Sequence, residues 1–468
     1  MRTFPNRIRF IAMAAAAAFV TTVFSASCAA ATLCVNTTGA NGCYDSIQNA
    51  VNHAADNDVI MVAAGTYNED VVIGRPLSLL GAGAGQSIID ATDMDNGVYI
   101  DGYDHPGLHN VVVAGFTVEN AQFEGILAVS ATQVTIANNI VNDNDRSPGI
   151  GFKPHVLTGC PGQPAYETDE TGDCGGAIHL IGVSWSTVSG NMASGSADGL
   201  LISDETAISQ GNRVYENNMH DNPLDCGIVL ASHAPAGFTT FPFRAHYGIV
   251  DNTITKNVSE NNGTEAGGAG VGLFSDGAGQ GMVSGNVISN NRLVDNGHAG
   301  VAVHSHVGPE FGAPADDFAN NTINGNYISG NGQEDGDTLT PGTTGININS
   351  GGGGSPIMGT NIGANVITNE DVDIAVNTPA IVNVHTNNLL GGHKVMGVAN
   401  VCAFDKANFA PTAVCTGTID ATQNYWGCSA GPNGGGSCSS VPDAYDSGVT
   451  DIPWLSHPAA KGHNKNMY

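Results

Sequence analysis

Nine times between residues 97 and 373 the chain repeats one short phrase, a small residue followed by alternating apolar positions: Gly125-Ile-Leu-Ala-Val, Gly199-Leu-Leu-Ile-Ser, Gly227-Ile-Val-Leu-Ala, Gly300-Val-Ala-Val-His. Alternation over so few residues marks a strand, and its recurrence marks a repeat fold. The anchors at 97, 125, 177, 199, 227, 270, 300, 345 and 373 are 22 to 30 residues apart except at three longer intervals, which hold insertions. Between copies runs a second phrase of Asn and β-branched residues, as in Asn286-Val-Ile-Ser-Asn-Asn and Asn326-Tyr-Ile-Ser-Gly-Asn. One unit therefore holds at least two strands with Asn and Gly at its corners, and no helical period. That is the signature of a parallel β-helix; a leucine-rich repeat lacks its leucines here, and a propeller needs a period of roughly 40 or more. Asn suits the corners because it tolerates the left-handed conformation and its amide can bond to the next coil.

The chain begins with Arg2, Arg7 and Arg9, an apolar run from Phe10 to Phe24 and small residues at Ala29-Ala30-Ala31, the pattern of a secretory signal peptide over 1–31. A lipid anchor on Cys28 is disfavoured because the residues before it lack the expected leucine. No later stretch has the apolar length of a membrane span, so a soluble secreted or periplasmic protein is expected. Beyond residue 31 nine cysteines remain. Eight of them form close pairs, predicting Cys34–Cys43, Cys160–Cys174, Cys402–Cys415 and Cys428–Cys438 disulfides in an oxidising compartment. Cys226 has no local partner and is expected to be a small buried apolar residue.

The whole chain carries 14 Lys+Arg against 43 Asp+Glu, and the signal segment holds three of the basic residues. So acidic a protein is a poor partner for nucleic acid or an anionic membrane. A bare polyanionic substrate is disfavoured too, unless Ca²⁺ bridges it to the carboxylates. A monomer is expected.

A solenoid needs caps over its end coils. Residues 45–56 carry Ile47, Ala50, Val51 and Ala54 at helical spacing, predicting a short capping helix. The opening Ser46-Ile-Gln-Asn-Ala-Val, Gly65-Thr-Tyr-Asn-Glu-Asp and Leu79-Leu-Gly81 resembles the start of right-handed parallel β-helices of the pectin-lyase-like superfamily. Asn424-Tyr-Trp-Gly427, Gly431-Pro432 and Pro453-Trp-Leu455 resemble the closing segment of its secreted members, and Tyr425, Trp426 and Trp454 are expected as cap core. The resemblance implies an all-β, single-stranded right-handed parallel β-helix with a short N-terminal capping helix and a disulfide-pinned C-terminal cap. Its parts are a cap and first coil over 32–80, coils over 81–400, and a final coil and cap over 401–468. It implies no single activity, since this scaffold carries lyases, glycoside hydrolases, esterases, epimerases, adhesins and metal-handling proteins. The paired aspartates and Gly-His-Gly of polygalacturonases are absent, as is the Arg or Lys base with an aspartate row of pectate lyases.

Positions +1 and +3 from each anchor are apolar and face the core, which leaves +2 and +4 expected toward solvent. At +6, just past the strand, four consecutive coils carry Glu205, His233, Asp276 and His306, whereas the flanking coils carry Tyr103, Ala131, Val183, Gly351 and Pro379. Asp204, Asp225 and His304 lie nearby. Carboxylates and imidazoles at single-coil spacing can share protons or ligate a metal, so Glu205, Asp204, Asp225, His233, Asp276 and His306 form the predicted catalytic set. Insertions follow His233 and His306, and would wall a groove there. The first carries Phe241, Phe243, Arg244 and Tyr247, which with His304 are expected to bind substrate: the rings by stacking on sugars, Arg244 by neutralising a uronate. Other insertions, near 145–174 and 331–342, leave from a different corner; their acidic clusters, Glu167, Asp169, Glu170 and Asp173 in the first and Glu334, Asp335 and Asp337 in the second, are expected as solvated faces, with Ca²⁺ binding as the alternative.

The expectation is a secreted polysaccharide lyase or glycoside hydrolase. The alternatives are a metal-binding β-helix with His233, Asp276 and His306 as ligands of Ca²⁺ or a transition metal, and a non-catalytic surface protein. No Gly-rich phosphate loop, nucleophile elbow or HExxH supports a nucleotide, serine-hydrolase or zinc-protease reading.

Overall fold

A computed structural model describes residues 30–145, 176–233, 247–275, 281–305, 316–335, 338–350, 356–391, 395–401 and 417–459. Each coil contributes one strand to each of three parallel sheets. The anchor sheet contains the nine Gly-phrase strands among its eleven; a long sheet has fourteen strands and a third sheet eleven. The coil from Leu200–Ser203 shows the path: it leaves the anchor sheet, enters the long sheet at Arg213–Tyr215, crosses the third sheet at Asn218–His220, and re-enters the anchor sheet at Ile228–Ser232. In three coils a brief extra strand, Ser209–Gln210, Ile249–Val250 or Val283–Ser284, bridges the first of these corners.

The register follows the anchors in every coil. Val98, Ile126, Ile178, Leu200, Ile228, Val271, Val301, Ile346 and Ile374, each one residue past its anchor, pair in one unbroken row. These residues and their +3 partners are buried in a continuous aliphatic core. A one-residue slip would turn that whole row outward, which is why the apolar alternation specifies the stacking so firmly.

Asparagine locks the corners. Asn139, Asn191, Asn217, Asn257, Asn291, Asn326, Asn365, Asn387 and Asn424 form a ladder in which each Nδ2 donates to the Oδ1 of the next, at 2.9–3.1 Å. A second ladder runs Asn222, Asn262, Asn296, Asn331 and ends on Glu370; a third runs Asn212, Asn252, Asn286, Asn321. Each amide satisfies backbone groups that a tight, buried corner leaves without strand partners.

The N-terminal helix spans Ile47–His53, with Ser46 accepting from the Asn49 amide and Ile47, Ala50 and Val51 buried against the first coil. Glu69 strengthens its start by accepting from the Ile47 and Gln48 amides and the Ser46 hydroxyl, each at 2.8 Å. Disulfides Cys34–Cys43 and Cys428–Cys438 form as expected, and Cys226 is free and buried. Cys160–Cys174 and Cys402–Cys415, with the acidic residues Glu167, Asp169, Glu170, Asp173 and Asp337, lie outside the described residues. Trp426 is fully buried in the C-terminal cap, but Trp454 is 37% exposed at its rim, held by an Nε1–H bond to Ser429 O.

Two expectations fail. Positions +2 and +4 of the anchor sheet are not a solvent face: His179, Ser203, Asn347 and Asn349 are buried, and Leu201, Val229, Ala231 and Ala302 form a second apolar cluster on the outer side. Strand alternation separates two faces but does not say that one of them is wet. Glu334 is likewise buried, where it accepts from the Ala299 amide and faces His298. Among the described residues no helix is long and apolar enough to cross a membrane.

Candidate active site

The chemistry gathers on the outer side of the anchor sheet where its strands end. Ser203 is the last paired residue of its strand and lies opposite Ala231 in the next coil. Two residues further on, Glu205 and His233 meet across one coil step, with His233 Nδ1 3.0 Å from Glu205 Oε1 and both side chains sealed from solvent. A carboxylate can only accept, so the imidazole donates from Nδ1. Burial pushes the Glu205 carboxyl up, but the hydrogen bond and charge of His233, with help from His179 and the Ser203 hydroxyl, outweigh it and hold Glu205 below the ordinary glutamate range.

Ser203 extends this pair backward. Its Oγ lies 2.9 Å from His179 Nε2, and the other ring nitrogen of His179 lies 3.4 Å from Glu124 Oε1. Glu124, His179, Ser203, Glu205 and His233 thus make a buried polar chain running diagonally over four successive coils. Glu124, His179 and Ser203 stand outside the predicted set; His179 and Ser203 occupy +2 and +4 positions, which were expected toward solvent. Their contacts cross from column to column, whereas the +6 pattern follows a single column.

Asp204 plays a different part. Successive strand residues point to opposite sides, and Asp204 turns into the corner. There its carboxylate accepts from the His233 amide at 2.8 Å, the Gly248 amide at 2.5 Å and the Ser232 hydroxyl at 3.2 Å. It therefore ties together the two points where the chain departs before residue 234 and returns after residue 246. Burial drives its pKa up to about 7 despite those bonds. Asp316 repeats the device one insertion later, accepting from the Gly281 amide at 2.9 Å and from the Ser305 hydroxyl.

Asp225 does not join the cluster. It precedes the strand Ile228–Ser232 and accepts from its neighbour's amide, so the length of that strand, on the order of 20 Å with its flanks, separates it from His233. His304 is nearly buried and packs its ring on Phe274, centroids 4.3 Å apart, in the column that runs Ser203, Ala231, Phe274, His304. Three coil steps, roughly 14 Å, keep it from Ser203. Tyr247 is half exposed beside Gly248, at the rim of the Asp204 corner. Asp276, His306, Phe241, Phe243 and Arg244 lie outside the described residues. Among the described residues no three His, Cys, Asp or Glu side chains group as a metal site; the metal-ligand set expected from the sequence needs Asp276 and His306.

Residues 86–242 match the family model of the right-handed β-helix region. With the three stacked parallel sheets, this decides the architecture. The chain is a right-handed parallel β-helix protein. Among solved structures this β-helix is similar to the A-module of the Azotobacter vinelandii mannuronan C-5 epimerase AlgE6, at 16% identity over 88% of this chain and 95% of that one, with a TM-score of 0.53. Looser likenesses reach an alginate lyase from Paenibacillus sp. str. FPU-7, at 14% identity, 71% and 91% coverage and a TM-score of 0.43. They also reach the catalytic unit of a GH87 α-1,3-glucanase from Streptomyces thermodiastaticus strain HF3-3, at 14% identity, 89% and 67% coverage and a TM-score of 0.45. No curated protein sequence matches the chain.

Proposed function

We propose that this β-helix is a secreted enzyme that cleaves an extracellular polysaccharide, with the buried Glu205–His233 pair, at the corner past the anchor-sheet strands, as its acid–base centre. The observation that carries this is their 3.0 Å contact, backed by the chain through Ser203 and His179 to Glu124. A group that must exchange protons gains from partners that fix its orientation and protonation state. The disulfides suit an oxidising compartment, and the AlgE6 A-module, which shares the fold, is named for its action on mannuronan.

Geometry favours β-elimination over hydrolysis. Glycoside hydrolases set two carboxyl groups about 5.5 Å or about 6.5–9.5 Å apart, whereas Glu205 is in direct contact with an imidazole and its neighbour Asp204 is committed to backbone amides. A carboxylate bonded to His is arranged instead as a base with its orienter. In that role the pair takes the proton from the carbon beside a uronate carboxyl group, the C–H electron pair forms a C=C bond to the neighbouring ring carbon as that carbon's C–O bond breaks, and the proton passes to the departing glycosidic oxygen. Arg244, in the insertion that follows His233 in sequence, would neutralise such a carboxylate.

Purified protein incubated with uronate polymers should raise the ultraviolet absorbance of an unsaturated uronate, and Glu205→Gln or His233→Ala should lower kcat by roughly 10²- to 10⁴-fold. Reducing ends without that absorbance would replace the lyase with a hydrolase. Neither signal on uronate or neutral polymers would end the enzymatic proposal.

A further inference from the structure

The first strand of the long sheet, Thr32–Val35, pairs with Asp58–Val62, and Thr32 stands opposite Val59. The pairing reaches one residue further back. Ala31 donates its amide to Asp58 Oδ1 at 2.7 Å and accepts from the Val59 amide at 2.9 Å, so both of its backbone groups are engaged by the neighbouring strand. Asp58 is the unusual partner. It is 5% exposed, and besides the Ala31 amide it accepts the Ala55 amide, on Oδ2 at 2.8 Å. Among the described residues no Lys, Arg or His forms an ion pair with it. Arg75, which reaches the same turn, gives its guanidinium to Ala54 O. A carboxylate this deep is ordinarily paired with a cation, because two amide bonds offset only part of the hydration it has lost.

Removal of the leader peptide can supply that cation from the chain itself. The run Ser27-Cys-Ala-Ala-Ala31 offers three bonds with small residues at the first and third positions before the cut: Ala29–Ala30, Ala30–Ala31 and Ala31–Thr32. The contacts of Ala31 separate them. A cut after Ala31 removes both of its bonds and leaves Asp58 with one amide donor. A cut after Ala29 keeps the Ala31 nitrogen as a neutral amide. A cut after Ala30 preserves every bond and turns the nitrogen 2.7 Å from Asp58 Oδ1 into an α-ammonium group. That separation already lies in the roughly 2.7–2.9 Å range of a charge-assisted N⁺–H···O⁻ bond.

We infer that the chain is processed between Ala30 and Ala31, and that the α-ammonium group so formed pairs with the buried Asp58 and locks the first strand of the mature β-helix. The step is a hydrolysis by a leader-removing peptidase. Water adds across the Ala30–Ala31 peptide bond, the C–N bond breaks, the Ala30 carboxylate departs with the leader, and the Ala31 nitrogen takes up the protons. This places the end of the leader at residue 30, one residue before the end that the small-residue pattern by itself suggests. The uncut chain holds only a neutral amide at this position, so the ion pair closes after export. The processing site stands independently of any activity at Glu205 and His233.

The test starts from the full chain, exported by a bacterial host, and reads the intact mass of the mature protein, which should correspond to a chain beginning at Ala31. The second reading is the rate of modification by a pyridinecarboxaldehyde reagent, which is selective for α-amino groups over lysine. At pH 7 Asp58→Asn should react about tenfold faster than the unsubstituted protein, the change in free-amine fraction expected when an α-amine of pKa about 8 loses a partner that raised it by about one unit. At pH 10.5 both amines are neutral and the two rates should agree within about twofold, whereas a strand that merely frays would stay faster at both pH values. Asp58→Ser, which also removes the charge, repeats the measurement if Asp58→Asn is not exported. A mature chain beginning at Cys28, Ala30 or Thr32, a retained leader, equal rates at pH 7, or a rate difference that persists at pH 10.5 would each overturn the inference.

Discussion

Asp204 and Glu205 are consecutive carboxylates with opposite tasks. Asp204 accepts backbone amides from two points of the next coil, and Glu205 faces the imidazole of His233. Asp204→Asn keeps one acceptor and leaves a buried amide facing an NH₂ group, so it should cost about 1–3 kcal/mol, read as a fall in the urea midpoint. Glu205→Gln should act mainly on kcat. Ser203→Ala tests the tier behind the pair: turnover should fall about tenfold and the pH–rate profile should move, because Glu205 loses a donor and His179 loses its link. An unchanged profile would make the Ser203 bonds merely structural. The +6 column exposed Glu205 and His233 because both occupy one register position. Glu124, His179 and Ser203 occupy three different ones, and only the reach of real side chains brings them together.

Among the elements, the asparagine ladders are the clearest case of sequence written directly into structure. Asn257 donates to Val214 O and Asn291 Oδ1 and accepts from the amide and side chain of Asn217. Asn257→Ala should therefore destabilise by about 2–4 kcal/mol in urea unfolding, since it orphans several buried polar groups at once. The cap helix was legible from its apolar spacing, and it proves shorter, Ile47–His53, because Ser46 and Ala54 end it. What spacing did not reveal is that Glu69, from the next turn of chain, completes its N-terminus. Glu69→Ala should lower stability by about 1–2 kcal/mol, measurable as a shift in Tm.

For the whole molecule, pH sets stability through buried carboxylates. Burial, the largest cause in each, raises Asp70 to about 6 and Asp204 and Glu370 to about 7, and pushes Asp373 well above its usual range. A group whose folded pKa exceeds its unfolded one holds more protons when folded, so its contribution is full at low pH and lost as pH rises through the folded value. Glu205, held low, works the other way and loses its contribution only in more acidic solution. Tm should accordingly fall between pH 5 and pH 8 as the raised group ionises, and the net charge of −29 should deepen that fall at low ionic strength. Scanning calorimetry across that range checks it; a flat or rising Tm would contradict these burial effects.

Stacking register and the Asn corners were readable because each depends on a local pattern repeated at a fixed period, and the cap helix and the two short-range disulfides because each depends on near neighbours in sequence. One coil predicts the next, and a slip of one residue would invert the core. Tertiary structure alone decided that the outer face of the anchor sheet is sealed, that Asp204 braces while Glu205 meets His233, and that Asp225 stands at the far end of its strand. Those outcomes depend on side chains reaching diagonally between coils, and contacts between residues distant in sequence leave no periodic trace in it.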